Sequence, residues 1–323
     1  MRAVYATEPR PDDPLGAIAV GERPAPVPRD GWTTVRVRAV SLNGHDVATL
    51  RGVGIAPESF PMTLGCDGAG LDADGNRVLI YPVIEEPEWD GEDTLSPGRH
   101  LLTERVDGTM AELVTVPFRN VVPLPPWLSF AEGACLGAAW LTAYRMLFTL
   151  SSLRPGDTVL VQGAGGGLAQ GLVALGRAGG FRVWATGRSP QTRRKALELG
   201  AHQVFEPGAQ LPRPADAVMD SVGRATWKHS LESLRPGGSL VMAGVTTGAN
   251  PPARLSHIFF RQLSVVGAFA GTRQELRRLL NLLEVCGVRP YIDREYTLDE
   301  APKALSRMAA GDINGKLVVL PGE

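Results

Sequence analysis

A short apolar segment, Val159-Leu160-Val161, runs directly into a turn of small residues. The turn consists of Gly163, Ala164, Gly165, Gly166, Gly167 and Leu168, and a helical pattern follows it to about Ala178. Where a strand passes into a helix through glycines, backbone N–H groups and the positive end of the helix can approach a pyrophosphate. The strict G-x-G-x-x-G spacing fails at Leu168, so an ordinary strand-to-helix turn is the alternative. In this setting the turn predicts a dinucleotide site.

The end of the next predicted strand, Arg182–Thr186, selects between two dinucleotides. An NAD site needs a carboxylate here to bind the ribose 2′-hydroxyl. The strand is instead followed by Gly187, Arg188 and Ser189, with Arg193 on the next helix. A guanidinium and a hydroxyl suit a 2′-phosphate, so NADPH is the predicted cofactor. A solvated basic helix face accounts for Lys195 and for one of Arg193 and Arg194.

Strand and helix patterns alternate around these residues, from 124 to 271. A capping box at Ser129-Phe130-Ala131-Glu132 predicts a helix to about Leu150, and Ser189-Pro190 starts another helix. Further strands are predicted at residues 158–161, 215–219, 239–243 and 263–266. Strands separated by helices indicate a parallel sheet, so this segment is predicted to be a doubly wound α/β domain.

The two ends of the chain have a different sequence pattern, which is richer in predicted strands. Residues 34–40 alternate between apolar and polar, which predicts a half-buried strand, and residues 77–81, 112–116 and 315–320 are further strand candidates. Residues 85–105 are polar and predict a surface excursion. Helices are predicted from Thr272, with an apolar stripe of leucines, and over residues 299–310. We expect a β-rich domain of residues 1–123 and 272–323, with the α/β domain of residues 124–271 inserted.

Composition excludes several classes of function. The 33 basic and 34 acidic side chains give a net charge of -1, which argues against nucleic acid or anionic membrane partners. The three cysteines Cys66, Cys135 and Cys286 exclude a disulfide framework and a four-cysteine zinc lobe. With no apolar stretch of about 18 residues, we expect a soluble, cytoplasmic protein that acts on a small molecule.

Taken together, the chain resembles the medium-chain dehydrogenase/reductase superfamily, and within it the zinc-independent quinone-oxidoreductase-like or enoyl-reductase-like branch. The resemblance covers nearly the whole chain. Its markers are Ser41-Leu42-Asn43-Gly44-His45-Asp46, Leu64-Gly65-Cys66-Asp67-Gly68-Ala69-Gly70, Gly108-Thr109-Met110-Ala111-Glu112, Thr142-Ala143-Tyr144, the glycine turn, Asp220-Ser221-Val222-Gly223, Leu234-Arg235-Pro236-Gly237-Gly238 and Gly315-Lys316-Leu317-Val318. It implies a GroES-like catalytic domain and a Rossmann NADP(H)-binding domain, with the active site in the cleft between them.

The resemblance also bears on metal. The zinc alcohol dehydrogenases of this family hold a catalytic metal with two cysteines and a histidine, and those places are taken by Asn43, Cys66 and Ala138. An amide, a thiol and a methyl group cannot form such a site, so no metal is expected. Cys66 is interpreted as a small buried residue. Without a metal, hydride needs an acceptor that is already electron-poor, such as a quinone or an α,β-unsaturated carbonyl.

Roles for individual residues follow from the same resemblance. Asn43 would lie near the nicotinamide and could donate to the acceptor oxygen, or it could shape a loop. His45 could supply a proton, or it could satisfy backbone groups beside Asp46, which is interpreted as structural. Lys316 would reach the cofactor phosphates, unless it is a surface lysine of the last strand. Other implied cofactor contacts are Thr142, Ser221, Gly223, Gly244, Val245, Thr246, Phe269, Ala270 and Gly271.

The sequence therefore predicts an NADPH-dependent oxidoreductase that reduces a quinone or an enone-type substrate. The alternative is a crystallin-like protein that binds the cofactor with little catalysis. A homodimer is also predicted, because the apolar segment of residues 262–268 would expose an unpaired strand edge in a monomer. The alternative is that the same chain covers this edge, and the helix from Thr272 could add contacts to a dimer.

Overall fold

The computed structural model describes residues 1–322. The strands in this range are β1 (Arg2–Ala6), β2 (Ile18–Glu22), β3 (Trp32–Ser41), β4 (Met62–Thr63), β5 (Gly68–Leu71), β6 (Arg77–Ile80), β7 (Val83–Ile84), β8 (His100–Leu101), β9 (Leu113–Pro117), β10 (Val121–Pro123), β11 (Thr158–Val161), β12 (Arg182–Thr186), β13 (Gln203–Phe205), β14 (Ala215–Asp220), β15 (Leu234–Met242), β16 (Ser264–Gly267), β17 (Ile292–Thr297) and β18 (Lys316–Leu320). The α-helices are α1 (Gly44–Leu50), α2 (Phe130–Ala134), α3 (Leu141–Phe148), α4 (Gly167–Ala178), α5 (Pro190–Glu198), α6 (Trp227–Glu232), α7 (Leu255–Phe260), α8 (Arg273–Cys286) and α9 (Ala301–Ala310).

The chain divides into two units. The first contains Met1–Ala138, Thr272–Leu276 and the chain from Pro290, and the second contains Ala139–Gly271 and Arg277–Arg289. The predicted domain boundary at residue 124 falls inside the first unit, because α2 packs against β3, β5 and β6. The second part of α8, which the sequence interpretation gave to the β-rich domain, packs with the second unit.

In the first unit, the two ends of the chain share one mixed sheet of order β10-β6-β5-β3-β18-β17, with β9 also paired to β3. Along β3 the side chains of Val35, Val37 and Ala39 alternate into the core, as the sequence pattern predicts. The last strand β18 pairs antiparallel with the end of β3, with Val318 opposite Ser41. This pairing brings Lys316 beside the residues that follow β3.

The second unit contains a parallel sheet of order β13-β12-β11-β14-β15-β16. This order corresponds to 3-2-1-4-5-6, the arrangement of the Rossmann fold. All four residues of β11 are buried, which agrees with helices on both faces of the sheet. The strand order reverses between β11 and β14, and in such sheets ligands bind at the carboxyl ends of the strands at this switch point. The predicted doubly wound sheet is confirmed.

The prediction of one continuous helix from residue 130 to residue 150 is wrong. It consists of α2, a π-helical segment Leu136–Trp140, and α3. The side chain of Asp67 accepts a 2.6 Å hydrogen bond from the backbone N–H of Ala138, and this takes a donor from the helical ladder. A side chain inserted into the ladder is a known cause of helix interruption, and π-helical turns often occur at functional sites.

The polar segment of residues 85–105 is anchored by a buried charge. The Glu85 carboxylate, 1% exposed, accepts hydrogen bonds of 2.5 Å from Arg119 and 2.7 Å from Arg273. The strand β8 within this segment pairs with β7. The prediction of a plain surface loop therefore missed two attachments, the ion pairs of Glu85 and the pairing of β8 with β7.

Within residues 1–322, no helix combines the length and the apolar character needed to cross a bilayer.

Candidate functional site

The glycine turn lies between β11 and α4, at the switch point of the parallel sheet. Gly166 precedes α4, and no side chain caps the first turn of this helix, so its N–H groups remain suited to an anion. Gly163 has a φ of +73°, and a Cβ atom there would lie 2.8 Å from the Val222 side chain. Both features require glycine and keep the backbone of Gly163–Leu168 open to a ligand.

At the end of β12, the structure separates the predicted 2′-phosphate ligands. Arg188 is exposed, and no described residue holds its guanidinium. Arg193 instead donates to the Gly187 carbonyl at 2.7 Å and to Glu206 at 3.2 Å. The Ser189 hydroxyl accepts a hydrogen bond from the Thr192 N–H, as the predicted N-cap. Arg188 is thus the guanidinium available to a ligand, whereas Arg193 shapes the turn.

The turns after β14 and β15 lie, like the glycine turn, at the carboxyl ends of the strands of the parallel sheet. The Asp220 carboxylate accepts hydrogen bonds from the N–H groups of Val222 and Gly223, at 2.8 and 3.1 Å. A Cβ atom at Gly244 would lie 2.9 Å from the Ser221 carbonyl, so the loop with Val245 and Thr246 lies against this turn. The fold thus brings these predicted cofactor residues to one edge.

The remaining predicted cofactor residues of the second unit are Phe269, Ala270, Gly271 and Thr142. Phe269, Ala270 and Gly271 follow β16, which is the last strand of the same sheet. Ala270 has a left-handed φ of +46°. Thr142 is buried in α3. Their contacts with a cofactor stay predictions.

In the first unit, Asn43 is the centre of a buried polar cluster. Its side-chain N–H groups donate to the Ser41 carbonyl at 3.1 Å and to the Asp67 carboxylate at 2.8 Å. Its side-chain oxygen accepts a 2.7 Å hydrogen bond from Lys316. Because both N–H groups already have acceptors, the predicted donation to a substrate oxygen would require Asn43 to give one up. The geometry favours the alternative, a residue that shapes the loop.

Lys316 is an internal cation, 2% exposed, and not a surface lysine of the last strand. Its ammonium donates to the Leu42 carbonyl at 2.8 Å as well as to Asn43, and it lies 3.9 Å from the Asp67 carboxylate. The ammonium is therefore satisfied within the first unit. Its predicted contact with the cofactor phosphates would need these partners to be released.

Two acidic groups beside Asn43 have shifted pKa values because they are buried. Burial raises the pKa of Asp67 to about 6, although Lys316 and the Asn43 hydrogen bond act in the opposite direction. Burial and the negative charges of Asp67 and Asp46 raise the pKa of the Cys66 thiol well above its usual value. Cys66 is fully buried, in agreement with its interpretation as a small core residue, and remains a neutral thiol at neutral pH.

His45, the predicted proton donor, faces a carboxylate that the sequence interpretation did not single out. Its Nε2 atom is buried without a hydrogen-bond partner among the described residues, and it lies 3.9 Å from the Glu104 carboxylate. The neighbouring Asp46 does not orient His45, because its carboxylate accepts from the N–H groups of Asn43 at 2.8 Å and Gly65 at 2.9 Å. His45 therefore combines an unused nitrogen with a nearby negative charge.

Comparisons with known proteins agree with this architecture. The alcohol dehydrogenase GroES-like domain matches residues 29–126, and the zinc-binding dehydrogenase family matches residues 167–285. The quinone oxidoreductase of Mus musculus is 26% identical over 317 residues, 91% of each chain. The alcohol dehydrogenase of Geobacillus stearothermophilus is 27% identical, over 94% of this chain and 95% of that one. A solved NAD-dependent alcohol dehydrogenase superimposes with a TM-score of 0.92 and 30% identity over 100% of both chains.

The chain belongs to the medium-chain dehydrogenase/reductase superfamily. The predicted resemblance is thereby confirmed at the level of the superfamily, as is the fold class of a GroES-like domain with a Rossmann domain. Members of this superfamily are oxidoreductases that use a nicotinamide cofactor, so this chain is assigned to that class.

The zinc that one matching family description implies does not fit the residues of this medium-chain dehydrogenase/reductase. A catalytic zinc needs nitrogen, oxygen or thiolate ligands from three side chains. Asn43 is already bound to an ammonium, and Ala138 offers only its backbone N–H, which binds Asp67, so Cys66 is the one side chain of the three that could supply a zinc ligand. Among residues 1–322, no group of three or more His, Cys, Asp and Glu side chains has the arrangement of a metal site.

Sequence reasoning missed Asp67 and Glu104. Asp67 stands inside a quoted motif, directly after Cys66, and a carboxylate between apolar and glycine residues is the signal that could have marked it as buried. Glu104 gave no comparable signal, because it belongs to a polar segment rich in acidic residues.

Proposed function

We propose that the protein is a zinc-independent oxidoreductase that transfers hydride from NADPH to a quinone or an α,β-unsaturated carbonyl. The hydrogen bond from Lys316 to Asn43 carries the proposal, because it places a fixed ammonium on a residue that aligns with a family zinc ligand. A cation at this position repels a second cation and so disfavours metal-assisted alcohol oxidation. The similarity to the mouse quinone oxidoreductase supports the substrate class.

The dinucleotide is assigned to the second unit. The uncapped N–H groups of Gly167 and Leu168 suit the pyrophosphate, and the free guanidinium of Arg188 suits a 2′-phosphate. When bound, NADPH supplies the hydride. No described carboxylate in the segment Gly187-Arg188-Ser189 competes for the ribose, which favours NADPH although one similar structure is described as NAD-dependent.

We assign delivery of the proton that accompanies the hydride to a residue of the first unit. Reduction of a conjugated carbonyl or quinone consumes one proton for each hydride, and a positioned side chain can deliver it. His45 is our candidate, because an imidazole can donate a proton and its Nε2 atom has no hydrogen-bond partner among the described residues, with the Glu104 carboxylate 3.9 Å away. Asn43, with both N–H groups in use, is assigned a positioning role.

A second candidate is a cofactor-binding protein with little turnover. The committed N–H groups of Asn43 favour it, because they leave no side-chain donor at this position for a substrate oxygen. The two candidates differ in what happens to bound NADPH, not in whether it binds.

Steady-state oxidation of NADPH with a panel of quinones and enones separates these candidates. We expect turnover with at least one acceptor, and His45→Gln should lower kcat while NADPH affinity is retained. His100→Gln is the matched control, since His100 also has a buried, unpartnered Nε2 in the described chain. Tight NADPH binding with no turnover on any acceptor would favour the binding protein.

A further inference from the structure

A buried glutamine stands directly before the glycine turn, and its amide is fully hydrogen-bonded. Gln162 is 1% exposed. Its side-chain oxygen accepts a 2.8 Å hydrogen bond from the Thr186 hydroxyl. Its side-chain N–H groups donate to Ser230 Oγ at 3.1 Å and to His229 Nδ1 at 2.9 Å. Gln162 thus joins the end of β12 to α6.

Both ends of this chain of hydrogen bonds reach turns of the candidate dinucleotide site. On one side, Thr186 Oγ1 accepts a 3.0 Å hydrogen bond from the Gly163 N–H. On the other side, the Ser230 hydroxyl donates at 2.6 Å to Asp220, whose second oxygen holds the N–H groups of Val222 and Gly223. A continuous path therefore connects the turn after β11 with the turn after β14, across the switch point of the sheet.

The direction of each hydrogen bond in the path is determined by its neighbours. His229 Nε2 lies 2.9 Å from the Ala209 carbonyl, so this nitrogen carries the proton and Nδ1 is the acceptor. The Gln162 N–H groups must then face His229 and Ser230, and its oxygen must face Thr186. Ser230 and Asp220 are fully buried, so a broken link would leave a polar group unpaired in the interior.

We propose that Gln162 is a positioning residue for the dinucleotide, which locks the turns after β11 and β14 into one preformed platform. The inference rests on the proposed function, since it assumes that these turns bind NADPH. A ligand bound by N–H groups that are already fixed does not have to order them, and this ordering would otherwise reduce the affinity. Gln162 itself needs no contact with the ligand for this effect.

The test compares two ligands that use different parts of the site. NADPH engages the turns through its pyrophosphate, whereas adenosine 2′-monophosphate lacks the pyrophosphate and keeps the 2′-phosphate assigned to Arg188. Gln162→Leu and Thr186→Val remove the path, and Thr186→Ser preserves its hydroxyl. Ser239→Ala is the control for loss of a buried polar group, because Ser239 is 6% exposed and its hydroxyl has no partner among the described residues.

We expect Gln162→Leu and Thr186→Val to weaken NADPH binding about tenfold or more, with adenosine 2′-monophosphate affinity within about twofold of the parent. Thr186→Ser and Ser239→Ala should bind both ligands as the parent does. If Gln162→Leu does not fold, the Thr186→Val and Thr186→Ser pair decides. Unchanged NADPH affinity, or an equal loss of both ligands, would overturn the inference alone. A parent protein that binds neither NADPH nor NADH would overturn the proposed function as well.

Discussion

The ammonium of Lys316 donates a 2.7 Å hydrogen bond to the side-chain oxygen of Asn43, although 273 residues separate the two in the chain. The pairing of β18 with the end of β3 makes this contact possible. It places a buried cation, balanced by Asp67, beside Asn43, the residue that the family resemblance aligns with a zinc ligand. The polar cluster around Asn43 thus contains a fixed positive charge, the ammonium of Lys316.

Replacement of Lys316 by methionine should destabilise the protein by about 3–5 kcal/mol. The variant leaves the Asp67 carboxylate buried without its cation, and an uncompensated buried charge has a cost of this size. Adding Asp67→Asn should recover part of the loss, since the remaining charge is then removed. Urea unfolding measures both effects.

The control for this variant is Lys303→Met. The Lys303 side chain is 75% exposed in a surface pair with Glu300, so its loss should change the free energy of unfolding by less than about 1 kcal/mol. Equal effects of the two lysine variants would contradict the assigned role of Lys316.

Stability should depend on pH through Asp67. Its folded pKa of about 6 exceeds the ordinary value of 3.8, so the folded state binds this proton more tightly than the unfolded state does. Its contribution to the free energy of unfolding is fully present below about pH 4 and is lost as the pH rises through about 6. Asp67→Asn should remove this part of the pH dependence in urea unfolding between pH 4 and 7.

Asp72 should make a contribution to the pH dependence of stability that has the opposite sign to that of Asp67, and Asp72→Asn tests it. A hydrogen bond from Asn76 lowers the pKa of Asp72, which is only partly buried, so its small contribution to stability is present above its unfolded pKa and is lost as the pH falls. An Asp67→Asn profile with the same slope as the parent between pH 4 and 6 would refute the assigned pKa of Asp67.

Arg188 should determine the cofactor preference. We expect the parent to prefer NADPH over NADH at least about tenfold, on the order of 1.4 kcal/mol. Arg188→Ala should remove most of this preference and leave NADH use nearly intact, because only the 2′-phosphate loses a partner. Arg182→Ala, an exposed arginine at the start of the same strand, should keep the preference. Equal use of both cofactors by the parent would rule out this assignment.

The edge strand β16 supports the predicted homodimer as a testable proposal. It is the last strand of the parallel sheet, and Val265 on it is 43% exposed. Leu276, Leu279, Leu280 and Leu283 of α8 are buried within the chain itself, so the predicted contribution of this helix to a dimer would have to come from its other side chains and stays a prediction. Val265→Lys should give a monomer or insoluble protein in size exclusion with light scattering. A parent mass near 34 kDa at micromolar concentration would reject the dimer.

The sequence predicted the elements whose signals are local. The alternation along β3 and the caps at Ser129 and Ser189 depend on neighbouring residues, and each occurs where it was expected. The interruption between α2 and α3 depends on Asp67, a side chain 71 residues away in sequence. The cluster around Lys316 likewise depends on long-range pairing, for which no local pattern exists.

The central claim is tested most directly by turnover of metal-depleted enzyme in both directions. After chelator treatment, with zinc checked by elemental analysis, we expect far less than one zinc per chain and undiminished NADPH oxidation with a quinone or an enone. We expect no oxidation of simple alcohols with NADP⁺. Stoichiometric zinc whose removal abolishes activity, or turnover confined to alcohols, would contradict the account.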